Sequence, residues 1–302
     1  MQLTFLGKST QGGGSPTLFA TDRDTYVVLG HRLRDLRKDA GLTGRQLATL
    51  AGWDSSKISK IEYGKQTPTE NDIRTWCHHC QTPDQISDLI ATVRNIEVMY
   101  TEWRRVLQVG TKKRQQASIS LEAQTGLFRW YEPLLIPGIL HTAEYATAVM
   151  AQVIAFYQIP DDLTEGVAAR MERQQILYKG NHRFHFVLAQ QALLTTVGDT
   201  QVMLGQLDRL LTFLSLPRIR LGIIPATATY QAPTNQFIMF DERMVHVETI
   251  SAELAITQPR EIALYAKTFH QLSQQALYGQ AAKEMINARL TDLRKIQGVG
   301  MK

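Results

Sequence analysis

The chain has 302 residues, 44% of them hydrophobic, and a formal net charge of +5, which supplies enough apolar material for two cores or one large one. No run approaches the ~20 apolar residues a membrane span needs, the N-terminus lacks the charged-then-apolar layout of a signal peptide, and the two cysteines make no disulfide framework, so a cytoplasmic location is expected. The positive excess is local: between Thr25 and Lys65, eight Lys and Arg stand against four acids, and the remainder is nearly neutral, a pattern that suits a polyanionic partner.

In chain order, residues 1–24 hold two strand-like runs, Leu3 to Leu6 and Thr17 to Ala20, around Gly12-Gly13-Gly14-Ser15-Pro16; they predict an N-terminal arm or hairpin. Thr43-Gly44-Arg45-Gln46 forms a capping box that opens a helix with Leu47, Ala48 and Leu50 on its buried face. Ala51-Gly52 suits a tight turn, and Asp54 caps a second helix running from Ser55 to about Tyr63. Ile58 and Ile61 face inward at helical spacing, which leaves Ser55, Ser56, Lys57, Ser59 and Lys60 outward. A fourth helix is expected over Glu70 to Cys80. The fifth opens at Thr82-Pro83 with Gln85 completing a second capping box, and its apolar periodicity from Ile86 to Leu107 predicts one long connector ending near Val109.

Residues 25–109 therefore read as a mainly α domain of five helices. Gly110 to Gln116 (GTKKRQQ) reads as a basic boundary loop, and residues 117–296 as an α+β domain with a small antiparallel sheet. Helices are expected over Thr142 to Phe156, Asp161 to Tyr178, Asp199 to Leu214, Pro259 to Leu277 and Gly279 to Leu293. Strands fit Arg183 to Leu188, Arg218 to Ile224, Gln236 to Phe240 and Arg243 to Thr249, the last two joined as a hairpin at Asp241-Glu242.

The stretch from Leu42 to Pro68 resembles the XRE-type helix-turn-helix, the lambda-repressor-like family. The resemblance extends upstream through Leu29 to Arg37 and downstream through the Gly64-Lys65-Gln66-Thr67-Pro68 stop. It implies a DNA-reading second helix, with Ser55, Ser56, Lys57, Ser59 and Lys60 as base readers and Thr43, Gly44, Arg45, Lys65 and Thr67 as phosphate contacts. Gly44 departs from the family, where a glutamine commonly opens the helix and touches the DNA backbone. The second half resembles a domain that follows the helix-turn-helix in actinobacterial regulators described as antitoxin-like. That likeness lies in Trp130 to Ala146, Arg170 to Leu177, Val202 to Leu211, Ile223 to Pro225 and Val245 to Glu248, with His141 and Gln190 departing from the pattern. The wording of residues 1–24 also resembles short stand-alone actinobacterial proteins.

Other constellations have plainer readings. Cys77-His78-His79-Cys80 combines zinc's preferred ligand types, yet Trp76 and Cys80 share core spacing and no second ligand pair exists. His246 and Glu248, two apart on a strand, could act as acid/base partners, but simple alternation with buried Val245 and Val247 yields the same pair. Trp130, Tyr131 and Tyr145 read as core or as the lining of a small-molecule pocket. No phosphate-binding loop, dinucleotide fingerprint or nucleophile elbow occurs, so neither enzyme nor cofactor is expected.

Taken together, these readings predict a homodimeric regulator of transcription that binds double-stranded DNA, with a C-terminal domain that senses a small-molecule effector or a small neighbour-encoded partner protein. The alternatives are an antitoxin-like module whose main role is binding that partner, and an enzyme in the C-terminal half built on His246 and Glu248.

Overall fold

The computed structural model describes residues 24–95, 100–102, 107, 110–230 and 235–299. The arm or hairpin expected before residue 24 and most of the expected connector after residue 95 lie outside them. The chain divides into two compact units, Met1–Met99 with Thr257–Arg260, and Tyr100–Ile256 with Glu261–Lys302.

The first unit holds α1 (Asp24–Asp39), α2 (Gly44–Ala51), α3 (Ser55–Glu62), α4 (Glu70–His79) and α5 (Ile86–Asn95). Its core gathers Leu29 and Leu33 from α1, Leu47 and Ala48 from α2, Ile58 and Ile61 from α3, Ile73, Trp76 and Cys77 from α4, and Leu89 and Ile90 from α5. The buried Trp76 indole donates from Nε1 to the Leu33 carbonyl at 3.0 Å, which satisfies its polar edge. Leu50, expected on the buried face of α2, is 54% exposed; an eight-residue helix offers one narrow stripe, and Leu47 and Ala48 fill it. Thr82 makes no capping bond, and a 3-10 turn over Pro83–Gln85 leads into α5 instead. A capping box does form on α4, between Thr69 and Asp72. The segment Thr257–Arg260 belongs to this unit through Gln258 Nε2, which donates to Thr92 Oγ1 at 3.0 Å, and through the ion pair of Arg260 with Asp84.

Two contacts set the spacing of α1 and α3. Arg37 donates from Nε and Nη2 to the two carboxylate oxygens of Glu62, at 2.6 and 3.0 Å, and from Nη1 to the Leu42 carbonyl at 2.6 Å. Both members of the ion pair are buried. Two turns earlier on α1, a Cβ on Gly30 would lie 2.5 Å from the carbonyl oxygens of Ile61 and Glu62, so α1 approaches the end of α3 more closely than any side chain permits.

The second unit corrects three expectations. The connector helix does not run to Val109: α5 ends at Asn95, and Tyr100–Glu102 form β1, antiparallel to β7 (Ala252–Ile256). Nor is the sheet small or wholly antiparallel. Among the described residues it has seven strands in the order β1-β7-β6-β5-β2-β3-β4, where β2 is Leu127–Glu132, β3 Arg183–Ala189, β4 Ile219–Ile224, β5 Phe237–Phe240 and β6 Met244–Glu248. The pairs β2–β3 and β3–β4 are parallel and the others antiparallel.

The supposed boundary loop is helical as well, as α6 (Thr111–Ala117), followed by α7 (Ile119–Ala123). Asp162 takes hydrogen bonds from the Thr111 and Lys112 N–H groups, each at 2.8 Å, and so caps α6 from outside it. The parallel strands are joined as parallel pairing requires, by helical crossovers: α8 (Ala143–Tyr157) and α9 (Leu163–Arg173), then α10 (Gln191–Leu194) and α11 (Thr200–Phe213). After β7 come α12 (Pro259–Gln275) and α13 (Gly279–Val299).

Alternation along the strands gives the sheet two apolar faces. Phe128, Trp130, Phe184, Phe186 and Leu221 pack with α8, α11 and α13, whereas Tyr131, Val187, Phe237, Met239, Val245 and Val247 pack with α12. The aromatic ladder on the first face is stacked, with Phe128 and Phe184 centroids 4.8 Å apart.

Gly30→Ala is expected to destabilise the first unit by about 1–3 kcal/mol, the range of an overpacked core. At an ordinary helix position the same change stabilises by up to ~1 kcal/mol, so the sign of the shift in a urea melt tests the close approach.

Candidate nucleic-acid interface

The helix-turn-helix is built by local chemistry. Thr43 Oγ1 accepts from the Gln46 N–H at 3.2 Å, and Gln46 Oε1 accepts from the Thr43 N–H at 2.8 Å. Gly52 ends α2 with φ of 67°, in the left-handed region that favours glycine. Asp54 Oδ1 accepts from the Ser56 N–H at 2.8 Å to start α3, and its bonds with Ser56 hold the carboxyl below its ordinary value.

On α3, Ile58 and Ile61 are buried, and Ser55, Ser56, Ser59 and Lys60 are exposed. The start of α2 and the length of α3 border one open cleft of about 450 Å³. Thr43, Gly44 and Arg45 line it from the start of α2, and Ser55, Ile58, Ser59, Glu62 and Tyr63 from α3 and its end. The structure thus brings three expected phosphate contacts beside two expected base readers. Lys65 and Thr67 follow α3 and are exposed. A helix leaves its first N–H groups without intrahelical acceptors, so the Gly44 end of α2 presents donors to the cleft. A Cβ at Gly44 would meet only Ile58 Cγ2, at 3.5 Å, so the missing side chain reflects no lack of room.

Lys57 stands apart from the other expected readers. Its ammonium is 2.6 Å from Asp72 Oδ1 and 4.3 Å from the Trp53 ring centroid, and Trp53 in turn lies 6.2 Å from Trp76. Burial favours the neutral form of Asp72, but the bonds from Lys57 and Thr69 outweigh it and hold the carboxyl below its ordinary value. Lys57 therefore braces α3 against α4.

The local charge excess divides in the same way. Arg37 and Arg34 lie against Glu62, and Arg32 donates to Gln85 at 2.7 Å. Lys38, Arg45, Lys60 and Lys65 are exposed and form no ion pair among the described residues. Tyr63, half exposed beneath the Arg34 guanidinium, is a cleft residue that sequence reasoning passed over; its place just after the last buried helix position was the available signal.

Elsewhere, Cys77 and Cys80 are buried in the first core, and burial pushes the Cys80 thiol up to about 11. Among the described residues no group of three His, Cys, Asp or Glu is placed to hold a metal ion, and no helix is long and apolar enough to cross a membrane. Trp130 and Tyr145 are buried on one face of the sheet and Tyr131 on the other, so the three do not line one pocket. Val245 and Val247 are buried and Glu248 is exposed, as alternation predicts. His246, expected beside Glu248 on an open face, is instead largely enclosed. Its ring lies 4.8 Å from Phe240, and burial, with Arg114 nearby, lowers its pKa to about 4.

Comparison with known proteins finds two matching family models. A helix-turn-helix domain covers residues 28–89, and a domain of unknown function (DUF5753) covers residues 115–288. No curated protein matches. Among solved structures, NucT from Helicobacter pylori is similar at a TM-score of 0.30 and 11% identity, over 60% of this chain and 98% of that one. TrmBL2, an archaeal chromatin protein, is similar at 0.28 and 12%, over 79% of this chain and 88% of that one. Both scores lie below the level that marks a shared fold.

Asp72 generates a pH prediction. A carboxyl held below its unfolded value contributes stability that is complete above that value and lost as pH falls through the folded one. The first unit should therefore lose this contribution on acidification below about pH 4. Asp72→Asn keeps an acceptor for Thr69 but abolishes the ion pair. It should cost about 1 kcal/mol at pH 7 and flatten the acid limb of stability measured by urea titration.

Proposed function

The chain belongs to the family defined by the domain of unknown function DUF5753, with a helix-turn-helix domain ahead of it, and on that footing we propose that it is a sequence-specific, DNA-binding transcriptional regulator of the XRE type. The observation that carries this reading is the cleft shared by the start of α2 and the face of α3. It combines helix-end donors and Arg45 with the hydroxyls of Ser55 and Ser59, the groups that meet phosphates and base edges.

In this reading α3 enters the major groove. Ser55, Ser56, Ser59 and Lys60 read base edges, with Lys suited to guanine and Ser to either base type. Thr43, Gly44, Arg45, Lys65 and Thr67 hold the backbone and set register. Lys57 orients the reading helix rather than reading, because reaching a base would break its bond to Asp72. One short helix contacts few base pairs, each worth about 1–3 kcal/mol. We therefore infer a homodimer on half-sites one helical turn, ~34 Å, apart. The second unit would then provide dimerisation and a response to a ligand or partner.

Gel shifts on the DNA upstream of the protein's own gene test this. Lys60→Ala is expected to relax base preference and cost about 1–3 kcal/mol, whereas Lys65→Ala should weaken all sequences alike and lower the salt slope by about 1. Gly44→Gln, for which there is room, should tighten binding without changing preference. Binding that ignores salt would overturn the phosphate assignments, and an unchanged preference in Lys60→Ala would overturn the reading face.

A further inference from the structure

The face of the sheet that carries Trp130 changes character along its width. Over β2, β3 and β4 it is apolar. Toward the antiparallel edge the same face carries His246, which shares a row with Trp130 through Ile238, then Glu248 paired with Glu253. Glu132, the last residue of β2, lies on this face two positions beyond Trp130. Arg114 from α6 and Arg170 and Arg173 from α9 belong to the same cluster, each acting on its charges.

The three guanidinium groups are not equally compensated. Arg173 donates from Nε to both oxygens of Glu122, at 2.9 Å each, and from Nη1 to Gln115 Oε1 at 2.8 Å. Arg114 pairs with Glu253, and Glu248 lies 3.8 Å away. Arg170 has no carboxylate within salt-bridge distance among the described residues. Its Nη1 donates to His141 Nδ1 at 3.1 Å, and its Nε is buried without a hydrogen-bond partner.

Neither neighbour supplies the missing charge. His141 is buried and neutral, since burial and then the Arg170 charge hold its pKa well below the usual histidine value. Its Nδ1 accepts from Arg170, so Nε2 carries the proton and donates to the Ile136 carbonyl at 2.7 Å. Burial pushes Glu132 up to about 8, so this carboxyl is protonated at neutral pH and its Oε1 accepts from the Trp130 indole at 2.9 Å. Burial, then Arg173 nearby, lowers Arg170 to about 9, which leaves it charged at pH 7.

Arg170, whose charge Glu248 offsets only from beyond salt-bridge distance, has a buried donor unused and no carboxylate at its fork, a place an anion can fill. The place agrees with this need. β2 pairs parallel with β3 on one side and antiparallel with β5 on the other, and the loop leaving its C-terminal end carries His141. In open α/β sheets ligands bind outside the carboxyl ends of parallel strands, and β2 and β3 are such a pair. We propose that the second unit binds a small oxyanion, a carboxylate or phosphate group, on Arg170, with His141 holding the guanidinium in position and Arg173 and Arg114 adding field. Arginine suits this ligand because its planar fork matches two oxygens at once. The site gives chemical content to the ligand response proposed for the second unit, and rests on that reading only for its effect on DNA.

Calorimetric titration of the full chain with inorganic phosphate and, separately, acetate, at ionic strength matched by sodium chloride, tests the site. Saturable binding of at least one oxyanion is expected, and the two arms tell phosphate from carboxylate. Arg170→Gln should weaken it by about tenfold or more. If that variant fails to fold, Arg170→Lys keeps the charge but loses the fork and should still weaken binding by about tenfold. Absence of saturable binding to the native chain, or equal binding by the folded variant, overturns the proposal. Oxyanion binding that leaves the gel shift unchanged upholds the site and removes the ligand response alone.

Discussion

The first unit depends on one buried ion pair, Arg37 with Glu62. Its bidentate geometry joins α1 to the end of α3, and the third Arg37 donor reaches the Leu42 carbonyl ahead of α2. One side chain thus fixes three segments of the helix-turn-helix. Burying two charges gains little net stability, because desolvation offsets most of their attraction. What the pair supplies is definition of geometry, since any slide of α3 would strand Glu62 without its partner. Gly30 makes the pair reachable by letting the helix backbones nearly touch.

That constraint reassigns the local positive charge. A count along the chain treats each Lys and Arg of the first unit as available to DNA. In the folded unit Arg37, Arg34 and Lys57 serve acids inside it, and the outward charge falls to Lys38, Arg45, Lys60 and Lys65. The division is orderly: the engaged cations position α3, while Arg45 borders the cleft and Lys60 and Lys65 lie on α3 and just after it. Lys57 shows why spacing alone misleads. Its Cα sits at an outward position, but a long flexible side chain settles where a carboxylate and an indole face meet it.

In the second unit the sheet separates two kinds of interior. Its parallel half is packed with stacked phenylalanines on one face, while the antiparallel end on that face is covered by arginines and glutamates. Apolar packing determines the fold and tolerates few polar atoms. The polar end carries groups whose protonation departs most from ordinary values, Glu132, His141 and His246 among them.

The sequence by itself determined what short-range chemistry controls. The Thr43–Gln46 capping box, the Asp54 cap, the inward Ile58 and Ile61, the β5–β6 hairpin and the helices near 143–157, 200–213 and 259–275 form where local pattern places them, because their partners lie within a few residues. Tertiary structure decided the remainder. Tyr100–Glu102 continue an apolar helical period yet pair as a strand with residues some 150 positions on, and the backbone bonds of that ladder override local preference. β3 and β4 were legible as strands but their parallel pairing was not, and β2 escaped notice because a run largely buried on both faces has little alternation to read. The Asp72 brace on Lys57 and the place of Arg170 beside His141, with no carboxylate in contact among the described residues, exist only once distant segments meet, so no spacing along the chain encodes them.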